Sequence, residues 1–221
     1  QRPDYYLSIS KTVQIRIKKL YKIPSTIIFP GIDTSVFKNS KHTHTKPYYL
    51  VVSRLVPHKK IDIVINTFKN TKKNLYIIGT GRQEKYLKKN ATHSKNIKFL
   101  DKVPDQKLIH LYQRAKALIC PQIEDFGLTP LEAQACGCPV IAFNQGGIKE
   151  TVINKKTGIF FDKQTSTSLT KAIDTFELIK INPITCRNQA LKFSKDHFML
   201  NFKKEVTNRW QQYQKNQKNT S

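Results

Sequence analysis

Short apolar, β-branched blocks alternate along this chain with stretches whose apolar residues recur at helical spacing, and this alternation restricts the fold more than any other feature. The strand candidates are 26–29, 49–53, 74–78, 97–100, 117–120 and 140–143, and helical patterns occupy 61–68, 83–90, 106–115 and 131–136. In the third of these patterns Leu108, Ile109, Leu111 and Tyr112 cover one side while Gln106, Lys107 and Arg114 face away. Apolar strands interleaved with amphipathic helices predict an α/β fold with a parallel sheet covered on both faces. After Gly158 the run 159–161 reads as a short strand or a turn, followed by helices over 168–179, 183–193 and 197–213 and a polar, frayed tail. At the other end, 5–10 reads as a strand and 12–21 as a basic helix, an opening consistent with a domain cut from something larger.

A chain of 221 residues can bury one substantial core. Its 39 Lys and Arg against 15 Asp and Glu give a formal charge of +24, which concentrates anions near the surface. Nucleic acid, anionic lipid and phosphorylated small molecules are all compatible with that charge, and so is a bland lysine bias in segments such as KNTKKN and YQKNQKN. Cys120, Cys136, Cys138 and Cys186 lack the paired spacing of a zinc site, so reduced, buried thiols in a cytoplasmic protein are expected. The histidines are scattered, and the His42/His44 pair has no matching third ligand, so no metal site is expected. No apolar stretch approaches the roughly 20 residues that span a bilayer. Any membrane contact is expected to be peripheral, at an anionic inner face.

In open α/β sheets the ligand crevice lies beyond the carboxyl ends of the strands. The eight glycines, at 31, 79, 81, 127, 137, 146, 147 and 158, all fall at element boundaries or in loops. Four segments then compete for attention. Ser53-Arg54-Leu55-Val56-Pro57-His58-Lys59-Lys60 leaves a strand and places an arginine fork and a lysine at the crevice mouth, fit for a diphosphate, or else forms a solvated basic turn. Gly79-Thr80-Gly81 permits close backbone approach to a ligand or is simply a turn, and it completes neither a dinucleotide fingerprint nor a P-loop. In Glu124-Asp125-Phe126-Gly127-Leu128-Thr129-Pro130-Leu131-Glu132, Thr129 reads as an N-cap, Pro130 as the first helical residue and Glu132 as the capping-box partner. The amides of Gly127, Leu128 and Thr129 at that helix start suit phosphate oxygens, and the carboxylates suit sugar hydroxyls. Asn144-Gln145-Gly146-Gly147 leads to Glu150, which either caps a helix or meets a ligand.

These segments resemble the C-terminal half of the family-four glycosyltransferases, bacterial mannosyltransferase-like members in particular. The most specific match is Glu124, seven residues, then Glu132, within IEDFGLTPLEAQACGCPVIA; PGID, SRLVPHKK, IIGTG and FNQGGIKETV support it in the same order. The resemblance covers the chain from about Tyr6 to Tyr213.

The resemblance implies a GT-B arrangement of two facing Rossmann-like domains and retaining transfer of a hexose from a nucleotide sugar, GDP-mannose or a related GDP-hexose, to a saccharide or lipid-linked saccharide. It assigns Arg54 and Lys59 to the donor diphosphate, Glu124 to the transferred sugar and Glu132 to the ribose. Phe126, Gly127, Leu128 and Thr129 would add backbone contacts, Gly79 and Gly81 would line the site, and Lys102 and Val103 fall near the base. Arg54, Lys59 and Glu124 are the residues expected to carry catalysis, with no metal or cofactor required. Lys60 stands where the family commonly has glycine after its lysine. On this reading 1–22 is an interdomain region, 23–193 the nucleotide-sugar-binding domain, and 194–221 a crossover helix and tail. Transfer would need an N-terminal acceptor-binding domain or a complementary subunit. The alternatives are a non-catalytic nucleotide-sugar-binding or scaffolding domain and a basic nucleic-acid-binding protein; the second lacks a stacking stripe of aromatics, so no nucleic-acid partner is expected.

Overall fold

The computed structural model describes residues 3–39, 48–69 and 71–218. A small parallel unit comes first: strand β1 (Leu7–Ser8), helix α1 (Lys11–Tyr21) and strand β2 (Thr26–Ile27). Ser10 caps α1 by accepting the Val13 N–H at 3.1 Å, and Lys22 closes it in a left-handed conformation. No residue of α1 is buried.

The chain then builds a six-stranded sheet from β3 (Tyr48–Val52), β4 (Asn74–Ile78), β5 (Ile97–Phe99), β6 (Ala115–Cys120), β7 (Val140–Phe143) and β8 (Gly158–Phe161). All neighbours are parallel in the order β5-β4-β3-β6-β7-β8. The intervening helices are α2 (Ile61–Phe68), α3 (Glu84–Asn90), α4 (Asp105–Arg114), α5 (Leu128–Ala135), α6 (Ile148–Thr151) and α7 (Ser166–Glu177). Two more, α8 (Pro183–Leu191) and α9 (Lys195–Lys218), complete the described chain.

Strand alternation divides the interior into two cores. Tyr49 and Val51 face a cluster containing Ile61, Val64 and Ile65 of α2, Leu87 of α3 and Leu169 and Ile173 of α7. Tyr48 and Leu50 face the other side, with Tyr112 of α4, Ala133 of α5 and Ile148 of α6. Both faces of the sheet are therefore covered, as apolar strands require. A third cluster joins Leu131 and Ala135 of α5 to Ala190, Phe193, Ile32 and Phe126.

Three predicted elements, Ile61–Phe68, Asn74–Ile78 and Val140–Phe143, coincide with the observed ones. The 159–161 run is a strand, β8. Three expectations need correction. The 26–29 candidate does not join the main sheet; its first two residues pair with β1, to which short α1 returns the chain. The last helix runs past Tyr213 to Lys218, so the start of the expected tail is helical. Helix α5 begins at Leu128, not after Thr129.

The end of the sheet opposite the crevice is tied together by charge. Glu177, closing α7, accepts hydrogen bonds from the Tyr49 hydroxyl and the Lys116 ammonium, each at 2.8 Å, and pairs with Lys73. Burial pushes its carboxyl up, but the bonds from Lys116, Lys73 and Tyr49 outweigh that and hold it at about 2. With a folded value below the unfolded one, the stabilisation is complete above about pH 4.5 and is lost as pH falls toward 2. Thermal melts should show Glu177→Gln lowering Tm by about 4 °C at pH 7, with the gap to the parent narrowing below pH 4.5.

Candidate functional site

Strand order sets the site. The chain runs outward from β3 through β4 to β5, then returns to the other side of β3 as β6, so the loops leaving β3 and β6 diverge across the sheet's carboxyl edge. A crevice opens at such a reversal. Four loops border it.

The loop after β3 continues alongside β4: the Ser53 N–H donates to Ile78 O and the Leu55 N–H to Thr80 O. This closeness explains Gly79. It has φ 131°, and a Cβ there would stand 1.9 Å from the Ser53 carbonyl oxygen. Gly81 packs in the same way on Leu55, so both glycines serve the packing of two loops. Arg54 is exposed, and a 3-10 turn over Pro57–Lys59 carries the chain to α2. Lys60 caps that turn at φ 54°, ψ 35°, the left-handed region that glycine enters freely. The structure thus gives the physical reason for glycine at the family position.

The loop after β6 holds the carboxylates. Glu124 Oε1 accepts from Lys59 Nζ at 2.7 Å and from Gln122 Nε2 at 2.5 Å. The Lys59 and Glu124 side chains retain only 16% and 21% of their exposure, so the pair is sheltered from bulk water. Gln122 is buried, with its own Oε1 unpartnered. Asp125 turns outward to Arg16 of α1 at 2.7 Å. Phe126 is buried, stacked on Phe29 with centroids 5.6 Å apart and edge-on to Phe193, so its side chain belongs to the core and its backbone alone faces the loop.

Helix α5 starts directly after Gly127, which takes φ 99°. The expected capping box is absent: Thr129 and Pro130 are inside the first turn, and no side chain caps the helix. A left-handed residue at 127 lets the helix begin earlier, and Pro130, lacking an N–H, is tolerated in a first turn whose donors have no intrahelical acceptor. Gly127, Leu128 and Thr129 therefore present the leading amides of the helix. Glu132, released from capping, faces α4, where the Tyr112 hydroxyl lies 3.4 Å from its Oε2. Burial raises the Glu132 carboxyl above its ordinary value, the Tyr112 hydroxyl opposes this, and Asp105 at the start of α4 adds to it. Lys102 is exposed and Val103 half-buried on the adjoining β5–α4 loop.

The loop after β7 is stitched to the loop after β6. Gly146 bridges Glu124, and the Gly147 N–H donates to Glu124 O at 2.7 Å. Glu150 accepts the Lys11 N–H with both carboxylate oxygens, at 3.1 and 3.0 Å, so it caps α1. Lys59 and Glu124 are thus in contact, with Gly127 beside Glu124, while the Arg54 side chain is exposed on the same loop as Lys59. The sequence reading missed Gln122, Arg16 and Lys11. Only burial marks Gln122, and nothing local ties Arg16 or Lys11 to loops more than a hundred residues away.

Among the described residues no cluster of His, Cys, Asp and Glu could hold a metal, and no helix is long and apolar enough to cross a membrane. His42 and His44 lie outside the described residues. The four cysteines are free and buried, and burial raises every thiol.

Residues 33–193 match the family model described as "Glycosyl transferases group 1". The chain belongs to this glycosyltransferase family. A Corynebacterium glutamicum protein named as a GDP-mannose-dependent phosphatidylinositol monomannoside mannosyltransferase is 38% identical over 137 residues, covering 56% of this chain and 36% of that one. Sucrose-phosphate synthase from Thermosynechococcus elongatus superposes with a TM-score of 0.84 at 21% identity, covering 95% of this chain and 59% of its own. An Anabaena protein solved in complex with UDP-glucose superposes at 0.79 with 20% identity, covering 94% and 65%. These likenesses place the sheet and its helices in the GT-B fold. The chain spans less than half the length of the curated relatives it matches.

The left-handed Lys60 provides a direct check, because a non-glycine residue there is disfavoured by roughly 1 kcal/mol. Lys60→Gly should raise Tm by about 2 °C in calorimetry, the added chain entropy of glycine offsetting part of the relief.

Proposed function

We propose that this chain is the nucleotide-sugar-binding part of a retaining glycosyltransferase that takes GDP-mannose, or a related GDP-hexose, and transfers the hexose to a saccharide or lipid-linked saccharide. The observation that carries the reading is the meeting of Lys59 and Glu124 at the strand-order reversal. In this reading Arg54 and Lys59 neutralise the charge that grows on the departing diphosphate, and the amides of Gly127, Leu128 and Thr129 add their dipoles. Glu124 accepts from hydroxyls of the transferred sugar, Glu132 from the ribose, and the base lies by Val103. Protein cations neutralise the diphosphate, so the proposal requires no metal. The donor base is the one named for the Corynebacterium relative, while the Anabaena protein was solved with UDP-glucose.

Transfer requires a further, N-terminal domain in this proposal. Support comes from the first unit, where two-residue strands form a parallel pair apart from the main sheet. Parallel sheets are ordinarily buried on both faces, and a pair this short needs more strands to be stable. Around it Tyr5, Leu7, Ile9, Ile15, Leu20 and Tyr21 are exposed, as are Leu200, Val206, Trp210 and Tyr213 of α9. Peripheral contact with an anionic membrane is compatible with the net charge of +24.

Calorimetric titration of the chain with GDP-mannose, UDP-glucose and ADP-glucose should give binding, tightest for the GDP donor. Arg54→Ala and Lys59→Ala should each weaken the donor about tenfold or more while leaving the free nucleoside little changed. Equal weakening of donor and nucleoside would contradict the diphosphate role. Robust sugar transfer by the chain alone would overturn the need for a second domain.

A further inference from the structure

The Lys59–Glu124 contact has a consequence beyond binding. If Lys59 serves the diphosphate and Glu124 the sugar, each is already engaged by the other before any ligand arrives. Glu124 is also held by Gln122 through the same oxygen, so it cannot swing into solvent without losing two hydrogen bonds. Sheltering makes both bonds strong, since water screens them little. We propose that Glu124 determines donor-over-product specificity by competing with the terminal phosphate of the nucleoside diphosphate for Lys59, so that the spent nucleotide leaves readily. This rests on the nucleotide-sugar reading above and assigns a further role within that site.

The chemistry supplies the asymmetry. In the donor, the distal phosphate is esterified to the sugar and carries one charge, and the sugar hydroxyls offer Glu124 new donors in exchange for Lys59. In transfer, the bond between the sugar anomeric carbon and that phosphate oxygen breaks, and the oxygen keeps the electron pair. The acceptor hydroxyl oxygen forms the new bond to the anomeric carbon, and its proton passes to the freed phosphate or to solvent. The distal phosphate is now terminal and carries close to two charges near neutral pH. With the sugar gone, Glu124 has no hydroxyl partner. It returns to Lys59, beside a more negative phosphate that needs the same ammonium. The carboxylate that welcomes the donor thus disfavours the product.

The probes are GDP-mannose against GDP and UDP-glucose against UDP, titrated calorimetrically into the parent chain, Glu124→Gln, Lys59→Met and the double variant. Glu124→Gln, which keeps the shape but not the charge, should tighten the nucleoside diphosphate at least about fivefold while the sugar ester stays level or weakens. In the Lys59→Met background the same change should shift the diphosphate less than about twofold. Glu124→Ala supplies a second variant with the same expected direction, and a thermal melt of each confirms that it is folded. If the parent binds a nucleotide sugar in a Lys59-dependent manner, yet folded Glu124→Gln weakens diphosphate and sugar ester alike, the competition is refuted and the site reading stands. A gain that survives in full without Lys59 also refutes it. Absence of binding to all four probes by the folded parent would overturn both.

Discussion

Parallel pairing of β3 with both β4 and β6 is the constraint from which the rest follows. A central strand flanked on both sides by parallel neighbours must send its connections over both faces, and here α2 and α3 cover one face while α4 and α5 cover the other. The loops leaving β3 and β6 are then driven apart above the sheet, although their strands are hydrogen-bonded neighbours. A lysine from one loop and a glutamate from the other meet across the gap. The contact between them is a product of topology more than of local sequence, since 65 residues separate the two side chains.

Periodicity made the covered sheet legible. The bounds of α2, β4 and β7 could be read directly because each is an apolar or amphipathic block flanked by polar, glycine or proline residues. The start of α5 was misread for an instructive reason. Thr129, Pro130 and Glu132 have the composition of a helix start, but a left-handed Gly127 allowed helical geometry two residues earlier and left Glu132 free to face Tyr112. The strand at Thr26–Ile27 was legible as a strand but not as a member of a separate pair, because two residues carry no register information. Within the site, the spacing of Glu124 and Glu132 was visible and the partners were not. Gln122, Arg16 and Tyr112 acquire their meaning only from tertiary proximity.

Charge is arranged against the chain's average. In a protein with 39 basic and 15 acidic residues, Glu124, Asp125, Glu132 and Glu150 gather at one edge of the sheet. Each is held by a group from elsewhere: Lys59, Arg16, the Tyr112 hydroxyl and the Lys11 amide. Ordinary surface pairs contribute little. The Lys59–Glu124 pair differs because both of its members are sheltered from bulk water.

The small first unit meets the large sheet at a narrow place. Ile32 bridges Ser194: its N–H donates to Phe193 O at 3.0 Å, and its carbonyl accepts from the Lys195 N–H at 2.9 Å. The chain thus enters the sheet domain and leaves it side by side, so close that a Cβ on Gly31 would stand 2.7 Å from the Lys195 backbone. Farther along, Arg209 of α9 reaches Thr26 and lies over the Tyr5 ring at 4.9 Å, binding the departing helix to the arriving strands. Because Arg209 fastens α9 to the arriving strands while Arg16 and Lys11 fasten α1 to the loops bearing Asp125 and Glu150, a load on either segment is passed to the rim of the crevice.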